Sequence, residues 1–283
     1  MPTVGDMLAS VAARLAAAGI ENGRLEARLL VGDATGLTVE TMIAEPEIAI
    51  DDPGVVARVE RLTKRRLTHE PMSQILGYRE FWSLSFKVTP DVLTPRPDSE
   101  TLVEAVLSVV PDRSARLRLL DLGVGSGCLL LSLLHALPNA RGLGIDRSER
   151  ALAVARENAE ALGLADRAEM RAGDWGADLP DQYDIVVSNP PYIPSDDIEG
   201  LAPEVSEHEP WLALDGGRDG LDAYRTLAGE LPYLVREGGW TVLEVGQGQA
   251  AAVARLVRAA GFRIERVVAD LGGIERVILA RRP

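Results

Sequence analysis

Apolar residues recur at helical spacing through the first part of the chain. Met7, Val11, Leu15 and Ala18 fall on one helical face, and Gly19 is placed to end that helix. Leu25, Leu29 and Leu30 start a second helix, closing near Gly32 or Gly36, and Thr38 with Glu40–Met42 suggests a short third. After the break at Pro46, Asp51-Asp52-Pro53 reads as a cap with proline in the first turn, followed by Val55, Val56, Val59 and Leu62. The period then changes. Tyr78, Phe81, Trp82, Leu84, Phe86 and Val88 favour strands, and Leu84–Val88 alternates. Residues 1–75 are thus expected to form a helical domain, and 76–95 a β-hairpin linking it to a larger domain over 96–283.

In that larger domain strands and helices alternate. Strands are predicted over Leu117–Leu122, Arg141–Asp146, Ala168–Arg171, Ile185–Ser188 and Trp240–Val245. Helices are predicted over Gly127–Leu137, Ser148–Leu162, Leu221–Leu231 and Ala250–Ala260. The alternation predicts an α/β domain with a parallel, doubly wound sheet. Phe262–Val268 and Arg276–Ala280 follow each other without a helix, which predicts a terminal antiparallel hairpin.

Composition narrows the function classes. With 283 residues, 46% hydrophobic and 26% charged, the chain has the make-up of a soluble globular protein, not of a disordered or collagen-like one. Cys128 is the single cysteine, so an internal disulfide and a multi-thiolate metal site are excluded, and no metal is expected. Neither a signal peptide nor an apolar run of membrane-spanning length is visible, and a cytoplasmic protein with no membrane association is expected. The net charge is −13, made up of −2 in the first 90 residues and −11 in the rest. No basic domain exists to neutralise phosphates, which counts against a nucleic-acid partner. One helix does carry Arg58, Arg61, Lys64, Arg65 and Arg66, either as a solvated face or as a docking face for an acidic partner.

Two clusters carry candidate chemistry. Gly123-Val124-Gly125-Ser126-Gly127 lies at a strand-to-helix turn, where glycines allow close backbone approach to a ligand and the helix start offers free N–H groups. The dinucleotide fingerprint needs Gly-x-Gly-x-x-Gly, and its third glycine position holds Cys128, which disfavours a nicotinamide cofactor. Asp146 ends the next strand, where an acid can accept both hydrogen bonds of a ribose diol. Asp174 and Trp175, after the third strand, are placed to meet an adenine. The second cluster is Asn189-Pro190-Pro191-Tyr192 after the fourth strand. The prolines fix φ and remove two donors, leaving carbonyls free to accept, and Asn189 adds a side-chain acceptor. With the ring of Tyr192, this suits a flat group bearing an –NH2.

This combination resembles the class I S-adenosylmethionine-dependent methyltransferases that alkylate planar amino groups. The rest of the chain is similar to the HemK/PrmC family of peptide-chain release factor glutamine methyltransferases. The likeness lies in Thr94-Pro95-Arg96-Pro97-Asp98-Ser99-Glu100, His208-Glu209-Pro210, Ala213–Gly217, Asp219-Gly220-Leu221, Leu243-Glu244-Val245-Gly246 and Asp270–Arg276. Val124 and Ser99 stand where the family often has threonine. The resemblance implies a Rossmann-like, mostly parallel seven-stranded sheet with a small N-terminal helical, substrate-docking domain. It implies S-adenosyl-L-methionine as cofactor, held by Gly123, Val124, Gly125, Ser126, Gly127, Asp146, Asp174, Trp175 and Asn189, with S-adenosyl-L-homocysteine as product. It also implies methyl transfer to the glutamine amide of a Gly-Gly-Gln loop in class I release factors, modulating translation termination. The amide would donate to Asn189 and the Pro190 carbonyl, beside Pro191, with Tyr192 packed on its plane. A ribosomal-protein glutamine methyltransferase is the nearest alternative and a nucleic-acid adenine methyltransferase a more remote one. His208 is weighed as a proton acceptor. A monomer is the default.

Overall fold

The computed structural model describes every residue except Asp178 and Asp181. Its chain divides into two compact units, residues 1–77 with 202–208, and residues 78–201 with 209–283.

The smaller unit begins with α1 (Val4–Ala17), α2 (Gly23–Thr35), α3 (Val39–Ala44), α4 (Pro53–Leu67) and α5 (Met72–Leu76). Caps fix the starts. Thr3 and Asp6 form a reciprocal capping box on α1, and Asp52 accepts from Gly54 N–H with Pro53 in the first turn of α4. The core joins Val4, Val11, Leu15, Leu30, Val31, Met42 and Leu62. The face of α2 differs from the expected one. Leu25 and Leu29 are 54% and 37% exposed, whereas Ala27, Leu30 and Val31 are buried.

The larger unit starts with the hairpin β1 (Tyr78–Phe81) and β2 (Leu84–Lys87). Trp82 and Ser83 turn it with φ of 53° and 58°, the left-handed pair that two-residue hairpin turns require. Phe81 and Phe86 are buried in this unit's core, so the hairpin is a packed part of it and not a free link. Then follow α6 (Glu100–Ser108), β3 (Arg118–Leu122), α7 (Cys128–Ala136), β4 (Arg141–Asp146), α8 (Glu149–Ala161), β5 (Ala168–Ala172) and β6 (Tyr183–Ser188). The one-turn α9 (Pro203–Ser206) belongs with the smaller unit. The chain ends with α10 (Asp222–Leu234), β7 (Val235–Glu244), α11 (Ala250–Ala259), β8 (Arg263–Ala269) and β9 (Glu275–Arg281).

Seven strands form one sheet in the order β5-β4-β3-β6-β7-β9-β8, with β9 antiparallel to both neighbours and the other pairings parallel. Leu119, Ile185, Val242 and Leu279 point to one face, with buried residues of α6, α7 and α8. Leu120, Val186, Leu243 and Ile278 point to the other, with those of α10 and α11. Both faces are thus covered, as parallel sheets require. Strand order reverses between β3 and β6, because β4 and β5 lie to one side and β7 to the other. The two connections leaving that point diverge and open a crevice at the carboxyl ends of the strands, where ligands bind in open sheets of this kind.

Candidate functional site

A cavity of about 590 Å³ occupies that crevice. The β3–α7 turn forms its floor. Gly123, Gly125 and Gly127 all have positive φ (79°, 53° and 83°), which a side chain would strain. A Cβ on Gly125 would meet nothing within 4 Å, and one on Gly123 only the Trp175 ring, so the cradle is open above the backbone. Gly123, Val124, Gly125 and Ser126 line the cavity; Gly127 instead occupies the left-handed cap position of α7 and is not among the lining residues.

Asp146 holds this loop. Its Oδ2 accepts from Gly125 N–H at 2.9 Å and its Oδ1 from Ser148 N–H at 2.9 Å, while Gly123 and Val124 N–H donate to the Ile145 carbonyl. A carboxylate offers about four lone-pair sites, so two remain for a diol at the cavity wall. Trp175 lines the cavity with φ 55°, a conformation rare for a bulky residue. Exposed Asp174 also lines it and lies 3.5 Å from Arg147. Behind the floor, Asp121 is fully buried with both carboxylate oxygens unpartnered, and burial pushes its carboxyl up to about 7. Burial likewise pushes the Cys128 thiol up to about 12.

The opposite wall comes from β6. Ser188 Oγ donates to the Leu122 carbonyl at 2.6 Å, pinning the end of β6 to the end of β3. Asn189 and Pro191 line the cavity. The Asn189 amide nitrogen donates to Ser99 Oγ at 3.3 Å, which leaves its Oδ1 as the free acceptor of the group. Pro190 is buried and Tyr192 half-buried, and neither is among the lining residues; Pro191, Pro210 and Leu212 supply the apolar wall beside Asn189. Tyr192 packs instead at the Gly246 edge, with its carbonyl accepting from Gln249 Nε2 at 2.8 Å, and burial pushes its hydroxyl up to about 12. Arg96, also in the lining, donates to buried Glu209 at 2.6 Å.

Several of these partners were not singled out from sequence. Gln249 carried no motif. Ser99, Glu209 and Glu244 lie in motifs whose spacing assigns them no role, since only the fold brings them beside Asn189 and Arg96. His208, weighed as a proton acceptor, lies in the smaller unit, where its Nε2 donates to the Thr68 carbonyl at 2.8 Å. The basic face of α4 is largely consumed by internal pairs. Arg58 pairs with Asp33, Arg65 with Glu70, and Arg66, only 5% exposed, with Glu26 and Glu204. Lys64 lies 3.7 Å from Glu60.

A doubly wound sheet with a glycine turn at its switch point, and with Asp146 and Asn189 in the walls of the crevice there, is the architecture of a class I S-adenosylmethionine-dependent methyltransferase. Comparisons with known proteins refine that class. Residues 113–208 match the methyltransferase domain family and residues 6–77 the PrmC N-terminal domain family. The release factor glutamine methyltransferase of Rhodospirillum rubrum is 47% identical over 279 residues, covering 99% of this chain and 85% of that protein. That of Cereibacter sphaeroides is 44% identical, covering 98% of each. A solved methyltransferase from Pyrococcus furiosus shares the fold, with TM-score 0.52, 14% identity and coverage of 70% of this chain and 89% of that one. The chain belongs to the release factor glutamine methyltransferase family. Among the described residues no helix is long and apolar enough to cross a membrane.

Proposed function

We propose that this protein transfers a methyl group from S-adenosyl-L-methionine to the side-chain amide nitrogen of the glutamine in the Gly-Gly-Gln motif of class I peptide-chain release factors. The observation that carries this reading is Asn189. It lies in the cavity wall with its amide nitrogen engaged by Ser99 and its oxygen left to accept. The acidic chain supports a protein acceptor over a nucleic acid, since no basic domain faces a phosphate backbone.

The residues present fit the cofactor. The open backbone of Gly123 and Gly125 would hold its amino-acid portion, the Asp146 carboxylate its ribose diol, and Asp174 with the Trp175 ring its adenine. When bound, S-adenosyl-L-methionine supplies an electrophilic methyl group on a sulfonium, and leaves as S-adenosyl-L-homocysteine.

The chain's own residues orient the acceptor. An amide nitrogen is a weak nucleophile because its lone pair is delocalised. Holding it in near-attack geometry contributes much of the rate, up to about 7–11 kcal/mol for well-oriented reactants. The Asn189 oxygen accepts one of the amide protons and stabilises positive charge developing on nitrogen. Pro191 and Pro210 give this cavity apolar lining, and half-exposed Leu212 extends it. Tyr192 secures the turn from behind through Gln249. The excess proton leaves after transfer. The protein works as a monomer in the cytoplasm.

The test is transfer of labelled methyl to purified class I release factor, with ribosomal protein and DNA as parallel acceptors. Label on the release factor alone is expected. Label on DNA or ribosomal protein with none on the factor would overturn the substrate assignment.

A further inference from the structure

Behind Asn189 lies a buried carboxylate to which the reaction above gives no part. Glu244 ends β7, and the parallel register that pairs Ser188 with Leu243 brings it beside Asn189. It is 1% exposed, and its Oε2 has no hydrogen-bond partner. The Ser99 hydroxyl and the Asn189 amide face this carboxylate, with the Arg276 guanidinium from β9 and the Asp98 carboxylate as the other charged groups near it. The Tyr192 hydroxyl is close enough to feel its charge. The Tyr224 hydroxyl donates to the Glu244 main-chain carbonyl at 2.8 Å and fixes the backbone there.

The chemistry of the group decides what it does. An ionised carboxylate only accepts hydrogen bonds. Facing it, the Asn189 amide is stable only with its nitrogen inward. Ser99 Oγ accepts from that same nitrogen at 3.3 Å, so its own proton is free to point at the carboxylate. The outward group is then necessarily the Asn189 oxygen. A flipped amide would present two donors to a substrate –NH2, which also only donates, and would set the Asn189 oxygen against a charged oxygen. We propose that Glu244 is a positioning residue, which through Ser99 locks the Asn189 amide with its oxygen toward the substrate. This rests on the reading of Asn189 as the acceptor for the glutamine amide.

Protonation would undo the lock, because a carboxylic acid can donate to an inward-facing amide oxygen. Burial raises the Glu244 carboxyl to about 7, against the lowering effect of Ser99, Arg276 and Asn189. Asp121, also raised to about 7, lies in the same unit, so a pH profile of turnover alone would not separate the two.

The experiment uses the full chain labelled with ¹⁵N-asparagine, which has four asparagines and hence four side-chain amide signals. The Asn189 signal is identified by its loss in Asn189→Ala. In the wild type it is expected to shift with a midpoint near pH 7, and in Glu244→Gln to be insensitive over that range. In methyl transfer to release factor at pH 8, Glu244→Gln is expected to lose 10-fold or more in kcat with S-adenosyl-L-homocysteine affinity within about threefold. Ser99→Ala should lose in the same sense, and Ser99→Thr, which keeps the hydroxyl, should retain turnover. A silent wild-type Asn189 signal, or wild-type kcat in Glu244→Gln, would overturn the proposal. If the wild type methylates no release factor, the substrate reading fails, while the Asn189 titration and its loss in Glu244→Gln still decide the amide lock.

Discussion

The Asn-Pro-Pro-Tyr turn is braced by a glycine that permits no side chain, and that gives a test with a built-in control. Gly220 has φ +73°, and a Cβ there would lie 2.3 Å from the Tyr192 carbonyl oxygen and 2.5 Å from Gln249 Nε2. These two atoms are themselves hydrogen-bonded at 2.8 Å. Gly248 has nearly the same conformation, φ +81°, but a Cβ there meets nothing within 4 Å. Alanine at Gly248 therefore carries only the left-handed backbone penalty, about 1–2 kcal/mol. Alanine at Gly220 adds overpacking against backbone, about 1–3 kcal/mol, and loss of the Gln249 bond, about 0.5–1.5 kcal/mol. At roughly 2–4 °C per kcal/mol for a unit of this size, Gly248→Ala should melt a few degrees lower and Gly220→Ala about 5–25 °C lower. Relief of the clash moves Tyr192 and hence the turn, and a displacement near 1 Å can cost roughly 10²-fold in turnover. Thermal unfolding and methyl transfer at saturating cofactor, well below both melting points, read the two effects. Equal melting of the two variants, or wild-type turnover in Gly220→Ala, would refute the claim that this contact braces the turn.

Other expectations follow from the same geometry. Asn189→Ala should leave cofactor affinity within a few-fold and lower kcat by roughly 10²-fold or more, as loss of a transition-state hydrogen-bond partner does elsewhere; steady-state kinetics beside calorimetric binding separates the two. Asp146→Ala should weaken S-adenosyl-L-homocysteine binding and loosen the Gly125 turn, read by calorimetry and by amide exchange at Gly125. Glu244 carries its raised carboxyl at about 7 against an ordinary 4.5, so its stabilising contribution is complete below 4.5 and is lost as pH rises through 7. Glu244→Gln should therefore gain stability relative to wild type between pH 5 and 8, by on the order of 3 kcal/mol, in paired denaturant titrations. Arg66→Ala strands Glu26, leaves Glu204 only its His69 contact, and should destabilise the smaller unit by up to about 3–5 kcal/mol, seen as faster proteolysis within residues 1–77, whereas a docking arginine would leave proteolysis unchanged.

The sheet and its helices were legible because their patterns are local. Arg141–Asp146 matches its predicted bounds, and the glycine turn and Asp146 fall where the alternation of strand and helix requires. The basic stripe of α4 read as a possible docking face because spacing shows where charges lie on a helix and not which acids face them. Asp33, Glu70, Glu26 and Glu204 come from three separate parts of the chain. The α6 helix is not marked in the sequence although Leu102, Ala105 and Val106 have helical spacing, because it follows a Pro-Arg-Pro-Asp-Ser segment and Ser99 at its N-cap makes no side-chain cap hydrogen bond. The five-residue α5 is too short to show a period. The return of residues 202–208 to the smaller unit was not legible at all, since it depends on Glu204 meeting Arg66 and on Gln74 donating to the His208 carbonyl at 3.0 Å. The same holds for Glu244. Its motif was plain, but its partnership with Asn189 exists only in the register of β6 against β7.

In the proposed reaction Asn189 presents an acceptor to a glutamine amide beside the cofactor cradle. Fragment-ion mass spectrometry of release factor after incubation with S-adenosyl-L-methionine and the wild-type or Asn189→Ala protein tests it most directly. One methyl group on the side-chain nitrogen of the Gly-Gly-Gln glutamine is expected with the wild type, and almost none with Asn189→Ala at the same occupancy of cofactor. A methyl group on any other residue, or equal modification by Asn189→Ala, would contradict it.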